Sequence, residues 1–171
     1  LIACDRFGQM PIYWAYRGDS DIVFGPTASA VNLLLEHPPT LSQQGIFDYL
    51  YFHMVPGPAT VFDGVNKLMA AHRLICRDGH WEVQRYWEPD FRENSDASMA
   101  EASEEMLGLL SSSVARLTEG ADTGAFLSGG LDSSTVCGLL ARHQPRPKTY
   151  SIGFRVDGYD EIAYARLASE R

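Results

Sequence analysis

The sequence predicts a mixed fold in two parts, an α+β half followed by an α/β half built on a parallel sheet, with both halves incomplete. Three observations predict it. Two hairpin patterns fall within residues 1–86, a strand-helix-strand-helix order with short connections follows residue 97, and both ends lie inside elements. Leu1-Ile2-Ala3-Cys4 reads as the middle of a strand with no initiator Met, and Ser169-Glu170-Arg171 lies in a helical pattern without a stop signal.

The elements of the first half follow from local chemistry. Residues 1–24 read as β: Leu1 to Cys4 is apolar, Asp5-Arg6-Phe7-Gly8 breaks it, and Pro11 to Tyr16 and Asp21 to Phe24 flank the turn Arg17-Gly18-Asp19-Ser20. A helix is expected from Thr27 to His37, with Thr27 as cap and Pro38-Pro39 as stop. Ser42 caps a second helix that carries Ile46, Phe47, Leu50 and Tyr51 on one face and ends at Pro56-Gly57-Pro58. A second hairpin spans Arg73 to Tyr86, where Leu74-Ile75-Cys76 and Trp81-Glu82-Val83 flank Asp78-Gly79, a favoured type I′ pair. The polar stretch Glu88 to Asp96 reads as a linker.

After it the periodicity changes. Ser98 and Glu101 form a capping box. Met99, Ala102, Met106, Leu109, Leu110, Val114 and Leu117 recur at helical spacing until Gly120. A strand from Thr123 to Leu127, a Gly turn, a helix to about His143, a strand from Lys148 to Phe154 and a helix from near Asp160 complete the chain. Connections this short between strands that flank a helix require a parallel sheet.

Composition bounds the partners. The 171 residues suffice for one domain or two small ones, at roughly 100–200 residues each. Lys plus Arg total 14 against 22 Asp plus Glu, a formal net charge of -8. That balance repels a phosphate backbone and argues against nucleic acid, while a single loop can still take a nucleotide. Cys4, Cys76 and Cys137 are odd in number and form no C-x-x-C pair, so neither a disulfide framework nor a zinc site is expected. No signal peptide is visible, and no apolar run reaches the roughly 18 residues of a membrane span. A reduced, cytoplasmic setting is the expectation.

The informative stretch is Phe126-Leu127-Ser128-Gly129-Gly130-Leu131-Asp132-Ser133-Ser134, which leaves an apolar strand and enters a helix. Gly129 and Gly130 permit torsions and close approaches that a side chain forbids. The helix start offers unpaired N–H groups and the positive end of its dipole. With the hydroxyls of Ser128, Ser133 and Ser134, this makes a cradle for phosphate or pyrophosphate. Asp132 would repel a bare anion and makes sense if Mg²⁺ lies between its carboxylate and the phosphate. The bland alternative is a Gly-rich turn capped by Ser and Asp. The loop is neither G-x-x-x-x-G-K-[ST] nor G-x-G-x-x-G. It resembles the S-G-G-x-D-S loop of the ATP-pyrophosphatases, which cleave ATP between the α and β phosphates. Thr149 to Phe154 ends at the same sheet edge, where open α/β sheets bind ligands. Leu127 and Ile152 are therefore expected to line an adenine pocket, unless both are ordinary core residues. Asp160 reads as a charge complementing its helix dipole. Glu161 is open between that role and the site.

The second half resembles the synthetase domain of the asparagine synthetase family, through the loop itself, Tyr150-Ser151-Ile152-Gly153-Phe154 and the D-E-x-x-x-A-R-x-x-A pattern from Asp160 to Ala168. The first half resembles that family's glutaminase domain through Ala3-Cys4-Asp5-Arg6-Phe7-Gly8 with Pro11-Ile12-Tyr13, Val55-Pro56-Gly57-Pro58 with Thr60-Val61-Phe62, Lys67-Leu68 and Arg85-Tyr86-Trp87. The resemblance implies the rest of an N-terminal-nucleophile glutaminase domain plus connector over 1–92 and the start of an ATP-pyrophosphatase domain over 97–171. Glutamine would supply ammonia, and ATP with Mg²⁺ would convert aspartate to β-aspartyl-AMP for amidation, releasing AMP and pyrophosphate. Site residues carried over are Leu127, Ser128, Gly129, Gly130, Asp132, Ser133, Ser134 and Ile152, with Asp132 on Mg²⁺ through phosphate. A homodimer is left open.

The sequence also departs from the family. The nucleophilic cysteine lies upstream in that family, and Cys4 stands where it has Arg, as a small core residue. Pro26-Thr27-Ala28-Ser29-Ala30 replaces S-E-x-K-A, and Met69-Ala70-Ala71-His72 replaces P-P-G-H. An amide ligase for another acid is therefore the alternative, and a non-catalytic nucleotide-binding relic the alternative of another class. His53, His72 and His80 read as surface or turn residues.

Overall fold

A computed structural model describes residues 1–91, 96–120, 122–154, 156 and 160–170. The chain is mixed α and β and divides into two compact units, Leu1–Phe91 and Arg92–Arg171. The expected linker lies partly outside the described residues, at 92–95.

In the first unit, β1 (Ile2–Ala3), β5 (His72–Arg77) and β6 (His80–Arg85) form one antiparallel sheet. Strands β2 (Ile12–Arg17), β3 (Asp21–Gly25) and β4 (Asn66–Leu68) form another in the order β3-β2-β4. The pleat sends successive side chains of β2 to opposite faces. Trp14 therefore packs with Leu68, Cys4 and Leu74 between the sheets, while Ala15 packs with Val23, Val65 and Val31 of α1 (Ala28–Asn32) on the other face. Burying Leu68 and Leu74 this fully is worth roughly 1.5–3 kcal/mol each. Both hairpin turns form where expected. Asp78 and Gly79 have φ of 51° and 80°, as type I′ requires at both central positions. Tyr86 ties the end of β6 to the first strand, its hydroxyl donating to the Cys4 carbonyl at 2.6 Å.

Two helical expectations need correction. The helix expected over Thr27 to His37 is only α1. Thr27 caps it, accepting from the Ala30 N–H at 3.0 Å. Its carbonyls then turn to tighter i−3 bonds, from Leu34 N–H to Val31 and Leu35 N–H to Asn32, well before Pro38. Helix α2 (Gln43–Phe52) starts at Ser42 as expected, but ends through His53 in a left-handed conformation rather than at Pro56. Its apolar face is exposed: Phe47, Leu50 and Tyr51 stand out, and α2 is seated instead through Gly45. A Cβ there would lie 2.7 Å from the Thr60 carbonyl oxygen, so helix and chain meet backbone to backbone.

In the second unit, α3 (Met99–Thr118) carries the capping box: Ser98 Oγ accepts from Glu101 N–H at 3.3 Å, and Glu101 accepts from Ser98 N–H at 2.8 Å. Those Ser98 bonds hold the Glu101 carboxyl below its ordinary range. Ser98→Ala removes the cap and should cost about 1 kcal/mol in urea unfolding at neutral pH. The folded pKa of Glu101 is depressed, so its contribution is present above the unfolded value and fades as pH falls through the folded one. The penalty of Ser98→Ala should therefore shrink in acid. The periodic stripe of α3 is only partly used. Val114 is buried and Leu110 packs beside it, while Met99, Met106, Leu109 and Leu117 are exposed.

Strands β7 (Gly124–Phe126) and β8 (Lys148–Tyr150) pair in parallel, flanking α4 (Leu131–His143). Both are shorter than expected; β8 stops at Tyr150 rather than Phe154. The last helix, α5 (Ile162–Ser169), begins after Asp160, whose Oδ1 accepts from the Ile162 N–H at 3.2 Å. Among the described residues, no helix is long and apolar enough to cross a membrane. All three cysteines are free; burial pushes the Cys4 and Cys137 thiols up, with Asp5 adding to the effect on Cys4.

Candidate functional site

The loop expected to carry chemistry lies at the carboxyl end of β7 and runs into α4. Leu127 continues the ladder by one bond, its N–H donating to the Tyr150 carbonyl at 2.8 Å. Its side chain, 3% exposed, packs with Cys137 of α4 and Ala165 of α5. The chain must then turn sharply into α4. Gly129 makes the turn at φ +87°, and a Cβ there would meet the backbone of Tyr164 at 2.4 Å and of Ala165 at 2.6 Å. Glycine is thus required twice, for torsion and for the approach of α5. Gly130 differs. It is the N-cap residue at φ -72°, and an added Cβ would touch only Ser128 Oγ at 3.4 Å.

The hydroxyls knit the turn. Ser133 Oγ accepts from Ser128 N–H at 3.2 Å and donates to the Gly130 carbonyl at 3.3 Å. Ser128 Oγ lies 3.0 Å from Ser133 Oγ and accepts from Gly130 N–H at 3.3 Å. The first bond of the α4 ladder is Ser134 N–H to the Gly130 carbonyl at 3.0 Å. The N–H groups of Leu131, Asp132 and Ser133 precede that ladder and point along the positive end of the helix dipole. Asp132 stands exposed in this first turn.

A cleft of about 840 Å³ opens beside the loop, with Leu127, Gly129 and Ser134 on one wall and Tyr164 and Leu167 of α5 on another. Ser128, Gly130, Asp132, Ser133 and Ile152 are not among its lining residues. Leu127 and Ile152 do not share a pocket through their side chains. Leu127 faces α4 and α5, whereas Ile152 is 69% exposed. The period of two explains the separation, since Leu127 lies opposite Ser151 in the continued register and successive residues face opposite ways. Asp160 acts as a cap, accepting from Ile162 N–H and, at 3.4 Å, from Phe154 N–H. Glu161 is exposed at the N-cap position of α5 and makes no side-chain cap bond.

Two features lay outside the sequence reading. Ser151 Oγ donates to the Leu127 carbonyl at 2.6 Å. At the other end of the strand pair, Lys148 Nζ lies 2.6 Å from Asp122 Oδ2. The hydrogen bond and charge of Lys148 hold the Asp122 carboxyl low, and Asp122 raises the lysine in return. Neither was findable from spacing, because each joins elements that only the parallel register brings together.

A metal must be judged against this donor set. Among the described residues, no group of three or more His, Cys, Asp or Glu could hold an ion by itself. An exposed carboxylate beside unspent N–H donors fits Mg²⁺ of the kind that keeps its waters and takes the rest of its ligands from phosphates.

Comparison with known proteins follows the same division. Residues 1–87 match the family model for a glutamine amidotransferase domain, and residues 105–171 match that for asparagine synthase. The chain is 32% identical to a putative glutamine-hydrolysing asparagine synthetase of Methanocaldococcus jannaschii, over 98% of this chain and 34% of that protein. It is 26% identical to asparagine synthetase 1 of Bacillus subtilis, over 96% of this chain and 26% of that protein. It is also 33% identical to an amidase of Gibberella zeae, over 82% of this chain and 21% of that protein. The chain thus spans about a third or less of the length of these curated relatives.

Proposed function

We propose that this chain, which belongs to the glutamine-hydrolysing asparagine synthetase family, takes part in ATP-dependent amide synthesis through an acyl-adenylate. The observation that carries the reading is the loop from Ser128 to Ser134 at the carboxyl end of a parallel strand, with Asp132 exposed in the first turn of the following helix. In this reading residues 1–92 are the later part of an N-terminal-nucleophile glutaminase domain with its connector. Residues 97–171 are the early part of an ATP-pyrophosphatase domain. The matching of a glutamine amidotransferase model followed by an asparagine synthase model supports that order.

The chemistry assigned to the loop is binding of the pyrophosphate end of ATP. The N–H groups of Leu131, Asp132 and Ser133 meet the phosphate oxygens with aligned dipoles. Ser134 offers its hydroxyl, Ser128 and Ser133 hold the loop in shape through their own bonds, and Gly129 lets α5 close on the loop while Gly130 adds no side chain to it. Asp132 orients Mg²⁺, which, when bound with the phosphates, neutralises charge on the leaving pyrophosphate. The acceptor carboxylate attacks the α-phosphorus, the α–β bond breaks and pyrophosphate leaves. Ammonia then attacks the acyl carbon, AMP departs, and the nitrogen loses a proton. The ammonia comes from glutamine, and the acceptor is aspartate.

The second reading keeps the adenylate and changes the acid. Alanines at 70 and 71 and the Pro26-to-Ala30 stretch differ from the pattern of asparagine synthetases, and two relatives are named amidases. The test is product analysis of the full-length protein with ATP, Mg²⁺, glutamine or ammonium, and a panel of carboxylic acids. AMP and pyrophosphate formed in step with asparagine support the first reading; the same products with another acid support the second. ADP, or no turnover with any acid, rejects the ligase, and no turnover favours a nucleotide-binding relic.

A further inference from the structure

We propose that Ser151 is a positioning residue for the nucleotide: its hydroxyl replaces the last ladder bond between β7 and β8 and holds the two strand ends apart as a fork at the mouth of the loop. The proposal rests on the nucleotide reading above. In a parallel pair alternate residues of a strand bond to the two neighbours of their opposite number, and Leu127 is one of them. The register Phe126↔Tyr150 places Leu127 opposite Ser151. Leu127 N–H follows the rule and donates to the Tyr150 carbonyl. By the same rule its carbonyl should accept from Ile152 N–H. It accepts from Ser151 Oγ instead, at 2.6 Å. Among the described residues, Ile152 N–H donates to no backbone carbonyl, and β8 ends at Tyr150.

The substitution matters because Leu127 is a core residue. A buried carbonyl left without a donor is costly, so something must satisfy it. If Ile152 N–H did so, the ladder would gain a rung and draw the strand ends together. With a hydroxyl in that place, the carbonyl is satisfied while the chain beyond Ser151 is released. Its further course is then fixed from the other side. Asp160 Oδ1 accepts from Phe154 N–H and Ile162 N–H, tying this arm to the start of α5. Helix α5 in turn abuts Gly129 through Tyr164 and Ala165. One arm of the fork therefore leads into the phosphate loop, and the other is anchored to the helix that packs on that loop. The gap between them sits at the carboxyl ends of parallel strands, where open α/β sheets receive ligands.

The test compares Ser151→Ala and Ser151→Thr with the unaltered full-length protein, by calorimetric titration with ATP, AMP and inorganic pyrophosphate. Ser151→Ala should weaken ATP and AMP about tenfold, the scale of one lost hydrogen-bonding arrangement, and leave pyrophosphate unchanged. Ser151→Thr keeps the hydroxyl and should restore both. AMP binding unchanged in Ser151→Ala overturns the role. So does an equal loss of AMP and pyrophosphate, which would mean collapse of the whole loop. Failure of the unaltered protein to bind any of the three overturns the nucleotide reading itself, and this role with it.

Discussion

Gly129→Ala should unfold the loop region of the second unit and abolish nucleotide binding. Two costs act at one position. The residue sits at φ +87°, where a side chain adds about 1–2 kcal/mol. The new Cβ would also lie 2.4 Å from the Tyr164 carbonyl carbon and 2.6 Å from the Ala165 nitrogen. Those are backbone atoms of α5 and cannot rotate away. Overlap of this kind in a packed core costs typically about 1–3 kcal/mol, and more when backbone must move. Displacing α5 also strips Ala165 from Leu127 and Cys137. The expected loss is about 3 kcal/mol or more in urea unfolding, with ATP binding gone even where the protein remains folded. Gly130→Ala is the control. At φ -72° with one ordinary contact, it should cost less than about 1 kcal/mol. Equal effects at the two positions would mean that the loop does not pack on α5 as described.

That asymmetry marks the limit of what was legible in the sequence. Two adjacent glycines look alike in a motif, and only the left-handed torsion at Gly129 and the arrival of α5 separate them. Local chemistry was readable wherever it closed on itself. Asp78-Gly79 set its turn through its own torsions, and Ser98 with Glu101 set its cap through bonds three residues apart. Lengths were less readable, because termination depends on which acceptor wins. The expected helix from Thr27 to His37 lost its last turns to i−3 bonds, and the expected strand to Phe154 stopped where the Ser151 side chain took the next backbone bond. Burial was hardest to read. The stripes on α2 and α3 have the spacing of a core face, yet Phe47, Leu50, Met106 and Leu117 are exposed and Gly45 and Val114 make the close contacts. At the candidate site the loop was legible as a unit, since its strand, glycines, serines and acid are contiguous. The opposite facing of Leu127 and Ile152 required the pleat to be known.

Asp132→Asn should leave the fold intact and suppress pyrophosphate release. The two side chains are isosteric, and Asp132 is exposed in the first turn of α4 with no structural bond to lose among the described residues. A neutral amide at that position, near the positive end of the helix dipole, gives up only a few tenths to about 1 kcal/mol of charge–dipole attraction. Stability therefore cannot account for a large effect on turnover. If the carboxylate orients Mg²⁺ against the phosphates, its loss removes charge stabilisation aimed at the leaving group. Loss of one such preorganised contact lowers turnover by about 10²–10³. The measurement is pyrophosphate release against Mg²⁺ concentration at saturating ATP, beside a thermal unfolding curve. The expected variant melts only slightly below the parent, needs more Mg²⁺ for half-maximal rate and stays slow at saturation. The two effects separate the roles open to Asp132. A residue that served only as a helix-end charge would shift the melting point slightly and leave the Mg²⁺ dependence alone. Unchanged pyrophosphate release would remove Asp132 from the metal site and return it to that structural role.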